Sequence, residues 1–104
     1  MDLHMAFESG ALDATIAAAA GDNTALMAEL RATFVESARR QLDLLRRSRC
    51  DGNWSVAAMR LKGLAASFHV EELMQLAQHA LDGVPGDPAI LRQIDCAIQK
   101  LSGS

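Results

Sequence analysis

The stretch Trp54-Ser55-Val56-Ala57-Ala58-Met59-Arg60-Leu61-Lys62-Gly63-Leu64-Ala65-Ala66-Ser67-Phe68 decides both the fold class and the place to look for a site. An α-helix advances about 100° per residue. On that wheel Trp54, Ala57, Ala58, Leu64, Ala65 and Phe68 all fall within roughly 60° of Leu61. Such a broad apolar stripe predicts a helix with one face in a core. Met59 points about 160° away from Leu61, and Val56, Gly63 and Ala66 point within roughly 60° of Met59. Lys62 and Ser55 border this second, smaller apolar face. The periodicity therefore places Met59 outside the core, although a helical methionine is usually a core filler.

The same reading extends in both directions. Asp51-Gly52-Asn53 breaks the chain before this helix, and Asn53 is the expected cap for a start at Trp54. Upstream, Asp22-Asn23-Thr24 offers caps for a long helix running to about Arg49, with Met27, Leu30, Phe34, Ala38 and Leu45 on one face. Gln41 falls on that face as a polar exception. Arg39, Arg40, Arg46 and Arg47 lie on roughly the opposite side and read as a solvated face. The first segment, about Leu3 to Ala20, has helical composition interrupted at Ser9-Gly10 and ends at Gly21, a suitable C-cap. It is expected as two helical pieces. Downstream, a helix begins near Val70 with Glu71 and Glu72 in its first turn, where the helix dipole favours acids. Its apolar stripe is Leu73, Leu76, Ala77, Ala80 and Leu81, and it stops at Gly83. After Gly83-Val84-Pro85-Gly86, Asp87-Pro88 opens a last helix as cap and first helical residue. Leu91, Ile94, Ile98 and Leu101 line its inner side.

These elements predict one all-α domain over residues 1–104. We expect an up-and-down antiparallel four-helix bundle over about 23–101, with an extra N-terminal helical segment over 1–21. Its core should include Phe34, Trp54, Leu61, Phe68, Leu73 and Ile94. Composition agrees: half the 104 residues are hydrophobic, yet only Phe7, Phe34, Trp54 and Phe68 are aromatic. Alanine and leucine, which lose little rotamer freedom in a helix, supply the rest of the apolar mass.

The net charge of −3 argues against general nucleic-acid binding. Its distribution is uneven, because eight of the ten basic residues lie between Arg31 and Lys62 against three acids, Glu36, Asp43 and Asp51. A basic middle on an acidic chain favours a selective acidic partner over a polyanion. Cys50 and Cys96 fit no metal or redox spacing and read as reduced thiols. No His/Cys/Asp/Glu grouping has metal-ligand spacing, so no metal and no cofactor are expected. The start Met-Asp-Leu-His lacks the basic lead of a signal peptide, and Ile16–Ala20 is too short to span a bilayer. A cytoplasmic protein without membrane association is expected.

Ala58-Met59-Arg60-Leu61-Lys62-Gly63 resembles the signature Ala-His-x-Leu-Lys-Gly of the histidine phosphotransfer (HPt) domain family, with methionine at the phosphoacceptor position. Gly52-Asn53-Trp54 resembles the Gly-Asp-Trp that commonly precedes the signature helix. Further on, many members read Gly-Ala-x-x-Leu, where this chain has His69-Val70-Glu71-Glu72-Leu73, keeping the leucine and losing the glycine. The resemblance covers about residues 23–101. It implies a helical bundle that docks receiver domains of response regulators or histidine kinases in phosphorelays.

Met59 cannot take a phosphoryl group, because a thioether has no ionisable proton and its sulfur is at best a weak acceptor. The resemblance therefore implies a non-catalytic docking or regulatory module. Its partner-binding residues are expected to be Val56, Met59, Arg60, Lys62, Gly63, Ala66 and His69. His69 stands near the docking face, where its bulk could obstruct or redirect a partner. Two alternatives remain open. One is a phosphocarrier working through another histidine, His69, since His4 and His79 have no supporting context. The other is an unrelated helical bundle whose Met59 and Val56 form a homodimer contact. A monomer or weak homodimer is expected.

Overall fold

Capping chemistry sets the boundaries of five helices among the residues the structure describes, which are 3–102 for the backbone and 10–102 for the side chains. This computed structural model contains α1 (Leu3–Ala20), α2 (Thr24–Arg47), α3 (Asp51–Ser67), α4 (Glu71–Asp82) and α5 (Pro88–Leu101), and no strand among the described residues. The ends of the expected domain, residues 1–2 and 103–104, and the side chains of His4 and Phe7 lie outside them.

Two helix starts follow the expected capping residues. The Asn23 side-chain oxygen accepts from the Leu26 backbone N–H at 2.9 Å, and Asp87 accepts from the Ala89 N–H at 2.9 Å. Both satisfy donors that a helix N-terminus leaves unpaired. Two boundaries differ. α3 begins at Asp51, three residues before Trp54, because Cys50 is the cap. Its Sγ accepts from the Asn53 N–H at 3.4 Å, so Asn53 is a capped residue instead of the cap. The break expected at Ser9-Gly10 is absent, and α1 runs continuously through it. A glycine inside a helix costs only about 0.5–1 kcal/mol, and α1 is anchored downstream of it. Leu12 and Ile16, four residues apart, are fully buried on its inner face.

α3 packs on both α2 and α4, α5 packs on both α2 and α4, and α1 lies against α2 and α5. The connections are short, from Gly21–Asn23 to the five residues between Asp82 and Pro88. Phe34, Ala38, Leu42 and Leu45 from α2 meet Trp54, Ala57, Ala58, Leu61 and Ala65 from α3 in one core. Leu73, Ala77 and Ala80 from α4 and Ile90, Ile94 and Ile98 from α5 complete it. Phe68 is only partly buried, contrary to expectation. It is the C-cap of α3, where the backbone leaves the helix, and its ring meets Phe34 at the edge of the core, 4.7 Å between centroids.

Polar contacts tie the helices at specific points. The buried Trp54 indole donates to the Ala80 carbonyl at 2.7 Å, joining α3 to α4. Arg39 and Arg46 both reach Asp95 at 3.3 Å, joining α2 to α5. Arg31 pairs with Asp13 and donates to the Leu101 carbonyl at 3.0 Å, so it holds α1 and the end of α5 to α2. Gln41, the polar exception on the inner face of α2, has a buried Oε1 with no partner among the described residues.

Truncating Leu61 to alanine should cost about 2–5 kcal/mol, since its fully buried side chain leaves a cavity between α2, α3 and α4. Cys50→Ser should raise stability by about 0.5–1 kcal/mol, because a hydroxyl is a stronger cap than a thiol. Denaturant unfolding of the three proteins checks both. A Leu61→Ala change within error would mean the core face of α3 is misassigned.

Candidate docking face on α3

Burial of one stripe of α3 forces the other stripe outward. With Trp54, Ala57, Ala58, Leu61 and Ala65 buried, Met59 stands 62% exposed and Val56 47% exposed. Both are large apolar side chains in water, a pattern that marks association surfaces when polar groups rim it. Gly63 and Ala66 are exposed beside Met59. A Cβ added at Gly63 meets nothing within 4 Å, so the space over this turn of α3 is open.

Met59, Lys62, Gly63 and Ala66 come together, as the wheel implies, and share a shallow groove of about 340 Å³ with Leu81 of α4. Leu81 is absent from the sequence-derived set because its stripe on α4 reads as core. It is partly buried, with its outer side in this groove. Val56 and Arg60 instead line a second groove of about 450 Å³ on the other flank of α3, facing α2. Its α2 wall is Leu44, Arg47 and Ser48. Arg47, exposed as the solvated face of α2 predicts, thus also lines a groove beside α3. Only the pairing of α2 with α3 places it opposite Arg60.

Lys62 is not a free rim charge. Its ammonium donates to Gln78 Oε1 at 2.6 Å, and Gln78 Nε2 donates onward to Asp82 at 3.0 Å. This relay along the α3–α4 seam fixes the lysine over its own molecule. Arg60, by contrast, is exposed and has no hydrogen bond or ion pair among the described residues.

His69 lies beyond the end of α3, three residues after Ala66. Met59 is eight residues before that end, about 12 Å of helix axis at 1.5 Å per residue. His69 has φ +60° and is the one non-glycine residue in the left-handed region among those described. The His69 N–H donates to Ala66 O at 3.1 Å and the Val70 N–H to Ala65 O at 2.9 Å. That pair of bonds is a Schellman turn, with Val70 buried as its hydrophobic contact. The position is one where glycine is preferred, and it is where the phosphotransfer-like pattern has its glycine. Histidine is exposed there, while its neighbour's carbonyl, Phe68 O, accepts from Thr15 of α1 at 3.1 Å.

Among the described residues no group of three or more His, Cys, Asp or Glu side chains could hold a metal ion, and Cys50 and Cys96 are free thiols. No described helix is long and apolar enough to cross a membrane. Comparison of the chain with protein families, with curated proteins and with solved structures found no match.

His69→Gly should stabilise the fold by about 1 kcal/mol, since it removes the Cβ penalty of a left-handed residue. Thermal or denaturant unfolding reads this directly. An unchanged or lowered stability would mean the imidazole makes a compensating contribution at the turn.

Proposed function

We propose that this chain is a phosphotransfer-like docking module without the acceptor group, binding a receiver domain or a histidine kinase through the outer face of α3. In this reading α2 to α5 form an up-and-down antiparallel bundle, with α1 as an added helix across it. The module acts in the cytoplasm, as a monomer or weak homodimer, by occupancy and not by chemistry. The observation that carries the reading is Met59, 62% exposed at the apex of α3, where the signature it resembles has a nucleophile. Open space over Gly63 supports it, because a partner backbone can approach closely there. A methionine suits such a surface, since its flexible thioether adapts to irregular partners. Keeping the surface while removing the imidazole leaves binding possible and stops phosphoryl transfer at that position.

A second reading, a phosphocarrier using His69, has in its favour that the imidazole is exposed. Incubation with receivers charged by acetyl phosphate distinguishes the two. The wild-type chain should take up no acid-labile phosphate and yet form a complex. Label that appears on the chain and vanishes in His69→Ala would transfer support to the second reading. Gly63→Arg should keep the fold, given the open space, and weaken the complex about tenfold or more by blocking close approach. Titration by calorimetry checks this, and equal affinities would place the interface elsewhere.

A further inference from the structure

The two grooves that flank α3 differ in chemistry, and the difference sets how a partner must sit. On the α2 side, the groove has an apolar floor of Leu44, Val56 and Ala57 between two guanidinium groups, Arg47 and Arg60. Arg60 is unpaired among the described residues. Arg47 is held only by Asp43 of the same helix, at 3.0 Å, with both side chains more than half exposed. An exposed pair of this kind contributes little to stability, so Arg47 can turn to a partner at small cost. On the α4 side, the groove is walled by Met59, Gly63, Ala66 and Leu81, and its single cation is engaged with Gln78. The two guanidinium groups that line a groove and can turn to a partner, Arg47 and Arg60, therefore lie on one flank of α3.

From this asymmetry we infer that the α3 face recognises its partner at two points, a carboxylate-bearing site over Arg47 and Arg60 and an apolar side chain over Gly63 and Ala66. The partner is an acidic protein surface bordered by an apolar patch, and it straddles α3 with its acidic part toward α2. The inference rests on the docking reading above and adds to it the orientation and chemistry of the partner. An antiparallel contact between two copies through α3, with α2 flank on α2 flank, would appose their Arg47 and Arg60 groups, and like charges apposed in this way disfavour association. Lys62 keeps its charge, since Gln78 is neutral, but its ammonium is held over the α3–α4 seam by the bond to Gln78.

Association and dissociation rates separate the two points. Purified receiver domains and kinase domains are screened against the full chain, and those that bind the wild type are then measured by stopped flow across a salt series. Arg47→Glu/Arg60→Glu should lower the association rate about tenfold at low salt and remove most of its salt dependence. Ala66→Arg should raise the dissociation rate about tenfold while the salt dependence is retained. Lys62→Gln should leave association within about twofold of wild type. All these positions are at the surface, and a melt of each variant confirms the fold before rates are compared. A partner carboxylate changed to lysine should recover binding to the double variant.

Unchanged association in the double variant, with Ala66→Arg still damaging, would overturn the inference and leave the docking reading standing. So would an equal loss in Lys62→Gln, full competition by heparin, or a stable dimer of the wild type at working concentration. If no receiver or kinase domain binds the wild type, the docking reading fails first and this inference falls with it.

Discussion

The hydrogen bond from the Trp54 indole to the Ala80 carbonyl constrains the rest of the molecule. Trp54 is 1% exposed, and its one donor has a single partner, 2.7 Å away on α4. Leaving that donor unpaired in the core costs about 1–3 kcal/mol, so α3 has one rotational setting against α4. In that setting Ala57, Ala58, Leu61 and Ala65 on the same face of α3 are all buried in the core. Rotation of α3 by a single residue, about 100°, would carry Arg60 or Lys62 toward the core and break the indole bond. Met59 is exposed because everything on the other side of its helix is committed. The candidate docking face follows from the packing of the core, and no local strain or special loop is needed to present it.

The same accounting divides the basic middle of the chain into two populations. Arg39 and Arg46 clamp Asp95 of α5, Arg31 clasps Asp13 and the end of α5, and Lys62 feeds the Gln78–Asp82 relay. Each joins one helix to another. Surface ion pairs contribute little individually, about 0–1 kcal/mol, so their main effect here is to fix which helix faces meet. Arg40 and Arg47 are paired only within α2, to Glu36 and Asp43. Arg49 and Arg60 are exposed and have no partner among the described residues. A tally of charges along the sequence detects a positive region but cannot separate arginines that close the fold from those that face outward. That separation depends on Asp95, which lies about fifty residues away from both of its partners.

Helix positions were legible where the chemistry was local. Asn23 and Asp87-Pro88 are recognisable caps because their side chains act within three residues, and the wheel of α3 placed Met59 and Leu61 correctly from spacing alone. The errors came from features that local rules rank too weakly or cannot contain. A cysteine is a poor cap on propensity grounds, so Cys50 was passed over for Asn53. Ser9-Gly10 reads as a break because sequence rules do not include the anchoring of Leu12 and Ile16. Phe68 was assigned to the core by its angle on the wheel, but the helix ends beneath it. Leu81 and Arg47 line the grooves beside α3 only through helix pairing, which no single-helix pattern encodes.

The turn after α3 bears on function as well as stability. In the left-handed position a histidine costs more than the glycine that the phosphotransfer-like pattern has there, and its side chain projects beyond the helix end. Met59 lies eight residues before the end of α3 at Ser67, about 12 Å along its axis at 1.5 Å per residue, and His69 follows in the turn beyond it. In-line transfer of a phosphoryl group requires the reacting atoms to lie about 3–3.5 Å apart. A partner that phosphorylated His69 would therefore place its phosphoryl site over the α3–α4 turn, next to Ala66 of the apolar groove. Occupancy at Met59 and chemistry at His69 are separable by His69→Ala, which removes the imidazole and none of the residues that line the groove.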